Sequence, residues 1–155
     1  MLIPRFSRPK SVPEIREKLA NAKGEEKVAF ALAIHTLEPD EALAENLIRV
    51  LKKGSHWSEK MQAAISLRQF SNEASEQALL GAVEHEVAFL VRLHAFKSLM
   101  ARWKVRTDDK ESKEIEGLIT RPNSALYRGE GMTEEYRKNL AEARERLERL
   151  RDEYI

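Results

Sequence analysis

Val28-Ala29-Phe30-Ala31-Leu32-Ala33-Ile34, followed by His35-Thr36-Leu37 and then Glu38-Pro39-Asp40, decides how this chain is read. A helix from about Glu25 to Leu37 carries apolar residues at almost every position of the run. A helix that is apolar all round has to be covered on more than one side. Pro39 ends it, because proline disfavours helical backbone in the residue before it. The chain resumes from about Asp40 to Lys53, with Leu43, Leu47, Val50 and Leu51 on one face and Glu41, Glu45, Arg49 and Lys52 opposite. Acids come early and bases late, in the order the helix dipole favours. A single hairpin of this kind cannot bury its own apolar surface, so further helices must stack on it.

Working outward, six more helical segments follow from periodicity and capping residues. Ser11-Val12-Pro13-Glu14 is a capping box with proline in the first turn. It opens a helix on Ile15 and Leu19 that Lys23-Gly24 stops. Ser58 caps a helix to about Phe70 built on Met61, Ala64, Ile65 and Leu67, and Asn72 caps one to about Glu84 on Leu79, Leu80 and Val83. From about Glu86 to Lys104, Phe89, Leu93, Phe96, Met100 and Trp103 form one stripe that Val87, Leu90, Val91 and Ala95 widen. Thr107 or Asp108 caps a helix to about Thr120 with Ile115, Leu118 and Ile119 inward. Residues 121–132 have no regular period, and Thr133 caps a last helix that runs to the end. No strand is predicted. The expected organisation is a single domain over 1–155: an arm at 1–10, a capping helix at 11–24, three helical pairs over 25–120, a loop at 121–132 and a C-terminal helix at 133–155.

Composition narrows the function. The 155 residues carry 27 Lys+Arg against 26 Asp+Glu, a formal charge of +1. Nucleic-acid binding draws on phosphate neutralisation and favours a basic face, so this balance disfavours it. The N-terminal arm, with Arg5, Arg8 and Lys10 before any acid, is the local exception. Cysteine is absent, which removes disulfide staples, thiolate metal sites and a cysteine nucleophile. The longest apolar run is far short of the ~18 residues that suggest a membrane span. The first residues lack the apolar stretch of a secretory signal. A cytoplasmic protein without a membrane segment is expected.

Three helical pairs superpose: Glu26 to Lys53, Glu59 to Glu84 and Leu90 to Thr120. Leu37-Glu38-Pro39-Asp40-Glu41-Ala42, with Leu43 and Leu47 after it, resembles the turn and second helix of a HEAT-like repeat. Phe70-Ser71-Asn72-Glu73-Ala74, with Leu79-Leu80, is similar without the proline, and Glu86-Val87 with the run Val91 to Leu99 resembles a first helix of that family. Lys104-Val105-Arg106-Thr107 departs from the pattern. The resemblance, over about residues 25–120, implies an all-α fold: a short right-handed α-solenoid of stacked hairpins with a longer C-terminal helix. It further implies a non-catalytic module that binds another protein along a concave face; some bacterial members bind DNA or modify other proteins. A closed helical bundle is the competing architecture.

In such a stack the second helices line the concave face. Glu45, Gln77 and Lys113 then share one row, Arg49, Gly81 and Gly117 the next, and Lys52 and Glu84 lie at helix ends. The two glycines would leave a shallow groove where a partner approaches the backbone; a plain solvated face is the alternative. In the last helix, Tyr136, Leu140, Ala143, Leu147, Leu150 and Tyr154 recur at spacings of four and three, a coiled-coil seam. Glu142 with Arg146 and Glu145 with Arg149 are four apart, acid first. The seam either makes a homodimer or grips another partner, or it docks as a narrow stripe on the last pair.

The histidines do not converge. His85 lies between Glu84 and Glu86, whose side chains diverge on a helix. His35 and His94 sit in apolar helices, and His56 adjoins Trp57 in a loop. No metal or cofactor is expected, and no catalytic motif is present. Trp103 fits a core stripe, whereas Trp57 is the looser tryptophan. Two rival functions are an immunity-type protein that neutralises a toxin, and a solenoid that binds or modifies nucleic acid.

Overall fold

The computed structural model describes residues 11–121 and 131–154. The arm at 1–10, with Arg5, Arg8 and Lys10, most of the 121–132 loop, and Ile155 lie outside the described residues. Within them the chain forms α1 (Val12–Asn21), α2 (Gly24–Leu37), α3 (Ala44–Lys53), α4 (Trp57–Ser66), α5 (Glu73–His85), α6 (Phe89–Trp103), α7 (Lys110–Thr120) and α8 (Glu134–Tyr154). Short 3-10 turns at Glu41–Leu43 and Leu67–Gln69 lead into α3 and follow α4. The fold is all-helical among the described residues, and none of these helices is long and apolar enough to cross a membrane.

The capping residues act largely as read. Ser11 Oγ accepts from Glu14 N (3.4 Å), Asn72 Oδ1 from Ser75 N (2.9 Å) and Thr133 Oγ1 from Tyr136 N (3.1 Å). Two starts differ. His56, not Ser58, is the N-cap of α4, and Asp109 rather than Thr107 or Asp108 that of α7. Asp108 is held by Arg106 instead, at 2.8 Å. Gly24 begins α2 at φ +55, a conformation that L side chains rarely adopt. The Glu59 carboxylate lies 2.6 Å from where a β-carbon would stand there.

Packing explains the apolar helices. α2 meets α1, α3 and α4, and buries Val28, Phe30, Ala31, Ala33 and Ile34. α6 meets α4, α5 and α7, and buries Val91, Ala95, Phe96, Leu99, Met100 and Trp103. Each large apolar side chain among these contributes about 1.5–3 kcal/mol on leaving water. α2, α4 and α6 lie on one another in chain order, and α3 lies on α5. One continuous cluster runs from Ile15 of α1 to Leu150 of α8. The stripe read for α6 overreaches at its start: Val87 and Phe89 are 53% and 51% exposed, because they lie at the mouth of the α5–α6 connection.

The third pair departs from a simple series. α7 packs on α6 and α8, while α5 receives α8 as its neighbour. α7 turns only Ser112, Ile115 and Ile119 fully inward, whereas α8 buries Tyr136, Leu140, Ala143, Leu147 and Leu150.

At one edge the turns are chained across pairs. His35 stacks on Phe70 at 4.1 Å. Its Nδ1 accepts from Asp40 N (2.9 Å), so Nε2 carries the proton donated to Gln69 O (3.1 Å). Glu41 Oε1 accepts from Ser71 N (2.7 Å) and Asn72 N (2.8 Å). Arg102, near the end of α6, donates to the carbonyls of Phe70 (3.0 Å), Ser71 (2.6 Å) and Asn72 (2.7 Å). The polar backbone between α4 and α5 is thus satisfied from both neighbouring pairs.

Arg102→Met is expected to lower unfolding free energy in urea by about 2 kcal/mol, since it strands carbonyls bonded by a charged donor. Arg102→Lys should recover less than half of that loss, because one ammonium cannot reproduce the planar fork. Full recovery by lysine would contradict this account.

Candidate functional site

The row read as a concave face is divided by α8. Glu45, Arg49 and Lys52 are exposed on α3. Gln77 and Glu84 of α5 are brought together by Arg144, whose Nη1 donates to Glu84 at 2.8 Å and Nη2 to Gln77 at 3.4 Å. Gly81 lies between them, half-buried. Lys113 and Gly117 are exposed on α7, with α8 packed between that helix and α5. The structure does not bring them to the same row. A β-carbon at Gly81 or Gly117 would meet nothing within 4 Å, so neither glycine is required by packing within the chain.

The seam on α8 faces inward. Tyr136, Leu140, Leu147 and Leu150 are buried within the chain against α5 and α7, and Tyr154 alone is half exposed. Of the outcomes read for this stripe, it docks on the chain itself. Charges fasten it. Arg146 is drawn away from Glu142 to Glu111 (2.8 Å) and Glu114 (2.6 Å) of α7. Arg151 reaches Glu76 of α5 at 3.3 Å. Glu76 is 8% exposed and also accepts from Trp103 Nε1 at 2.6 Å, so Trp103 is a core residue with a polar tie. The hydrogen bond from Arg146 holds the Glu111 carboxyl below its ordinary value, against the opposing effect of burial.

A different site forms where three connections meet. Gly54, Ser55, His56 and Trp57 lead into α4; His85 to Phe89 join α5 to α6; Thr120 and Arg121 end α7; and Tyr136 opens α8. With Lys60 and Arg92 they line an open cavity of about 690 Å³. Trp57, Val87 and Phe89 are three of the five exposed large apolar side chains among the described residues, and all three line it. Scattered apolar residues need no explanation, but their convergence on one concavity does.

Arg92 forms the inner wall and is 1% exposed. Its Nε donates to Ile119 O (3.0 Å), Nη1 to Glu86 O (2.8 Å) and Val87 O (2.7 Å), and Nη2 to the Tyr136 hydroxyl (2.7 Å). That hydroxyl donates in turn to Arg121 O. The guanidinium carbon of Arg92 lies 5.4 Å from the Tyr136 ring centre. Burial lowers the Arg92 pKa, with Tyr136 and Glu86 working in the opposite direction. Lys60 holds the Glu86 carboxylate at 3.1 Å. Neither His56 nor Ala88, the N-caps of α4 and α6, bonds a backbone N–H with its side chain.

This arrangement offers apolar anchors and fixed positive charge. Among the described residues no group of three or more His, Cys, Asp or Glu side chains is placed to hold a metal. His85 lies 3.3 Å from Glu84, and burial, then Lys97 and Arg68, lower the His94 pKa. Sequence reading missed Arg92, although an arginine inside Phe89-Leu90-Val91-Arg92-Leu93 is itself a signal: a charge in so apolar a run must find acceptors. It also assigned Val87 and Phe89 to the core. No family model matches the chain, and no curated protein or solved structure matches it either.

Two measurements follow. Gly81→Ala and Gly117→Ala should each raise stability, by up to ~1 kcal/mol, since a helical glycine is costly and the space is open; destabilisation by both would contradict the open space at these positions. For Glu111, a depressed carboxyl contributes stability that is present above its ordinary value of 4.5 and is lost as pH falls through the native value. Glu111→Gln should therefore cost about 0.5 kcal/mol near neutrality, screened as an exposed pair is. Its stability should then fall less steeply than wild type on acidification below that value, as followed by urea titration.

Proposed function

We propose that this chain is a non-catalytic protein-interaction module, a short right-handed α-solenoid of HEAT-like helical pairs closed by α8. The reading rests on one observation above others: Trp57, Val87 and Phe89 stand open to solvent around a single cavity of about 690 Å³. Aromatic anchors in a preformed concavity are what most interface energy is built on. The α2–α4–α6 and α3–α5 stacking supports the solenoid part of the reading. The open row on α3, Glu45, Arg49 and Lys52, runs toward Gly54 and gives the surface a charged flank.

With the concave row of α5 already engaged by Arg144, the partner meets the loop edge rather than the middle of the stack. The buried seam of α8 leaves Tyr154 as its exposed member, so a homodimer through α8 would rest on little apolar surface.

Affinity capture from the source organism tests this. A partner retained by wild-type protein should be lost from the Trp57→Ser/Phe89→Ser double variant, while the unfolding midpoint of that variant stays close to wild type. Loss confined to Arg49→Ala and Lys52→Ala, with the aromatic variant unaffected, would move the interface to the face of α3.

A further inference from the structure

The edge cavity has a chemical preference that apolar anchors alone do not supply. We propose that it receives a partner segment in which an aromatic or branched apolar side chain stands beside an aspartate or glutamate. This rests on the interaction reading above and adds the chemistry of the partner.

The charges around the cavity are lopsided. Lys60, Arg92 and Arg121 line it against a single acid, Glu86. Glu86 is already held by Lys60 at 3.1 Å. Arg92 is bonded to carbonyl groups and to the Tyr136 hydroxyl and makes no ion pair among the described residues. Arg121 is exposed at the rim and likewise has no ion pair among the described residues. The N-termini of α4 and α6 both open onto the same space without a side-chain cap, and each adds partial positive charge. In a concave, partly apolar setting such charges act over longer range than on an open surface.

A purely apolar ligand would fill the space beside Trp57 and Phe89 and leave this field unanswered. On one flank Lys23, Lys27, Arg49 and Lys53 stand against one acid, Glu59, so a polyanion is the rival occupant that the test has to separate, although the net charge of the chain is only +1. A short segment with one carboxylate next to one apolar side chain satisfies both features. Volume agrees, since 690 Å³ lies within the range of pockets that hold a few side chains.

The test selects binders from a display library of short random peptides on the immobilised full chain, then measures the best synthetic peptide by calorimetry. The expected peptide pairs an apolar residue with Asp or Glu. Changing that acid to its amide should weaken binding about fivefold, as should Arg121→Glu in the protein. Trp57→Ser and Phe89→Ser, judged by unfolding midpoint to be folded, should each weaken it about tenfold. Peptides that need both aromatics yet keep their affinity as amides overturn the charge preference and leave the interaction reading standing. Peptides indifferent to both aromatics, or no selected peptide at all, overturn the two together. Displacement of the peptide by a single-stranded oligonucleotide, with a steep loss at higher salt, overturns the inference in favour of nucleic acid. Arg121 is exposed, so its variant remains informative if an aromatic variant fails to fold.

Discussion

Two helices of this protein are too apolar to lie at a surface, and the rest of the structure answers to that constraint. α2 is covered by α1, α3 and α4, and α6 by α4, α5 and α7. No single hairpin can supply three covers, so helices from more than one pair have to pack on each. Burial by itself is non-directional, however. The polar turns set the register. His35 and Glu41 from one pair and Arg102 from another bond the same backbone stretch between α4 and α5. A slip between pairs would leave those groups without partners.

The two edges of the molecule are built from the same materials with different results. Where turns are bonded across pairs, side chains close over the backbone. At the opposite edge Arg92 takes up the carbonyls of Glu86, Val87 and Ile119, and Tyr136 brings in the start of α8. That knot satisfies the backbone from inside and does nothing to cover Trp57, Val87 and Phe89. An arginine bonded to carbonyls retains its charge in a desolvated place, and the cavity inherits that field.

Most of the helices were legible from their sequence because capping and periodicity are local properties. Ser11, Asn72 and Thr133 cap where they stand, and Leu43, Leu47, Val50 and Leu51 are buried as their spacing implies. The site was less legible. Val87 and Phe89 continue the apolar rhythm of α6, and nothing local distinguishes a residue inside the core from one just past its end. Arg146 has an acid four residues before it but pairs with Glu111 and Glu114 instead, since a bidentate contact between helices wins over an exposed pair along one.

The order of residues alone determined that this chain is helical, that α2 and α6 lie deep, and that α8 carries a narrow apolar stripe. These follow from side-chain period and from the backbone limits at Pro39, Gly24 and the caps. Only tertiary structure decided where the stripe goes. α8 lies against α5 and α7, which removes Gln77 and Glu84 from an open row, and the cavity beside Trp57, Val87 and Phe89 forms at the loop edge. A stripe states how much apolar area must be hidden, whereas the choice among faces depends on shapes and charges that come together only after the chain has folded.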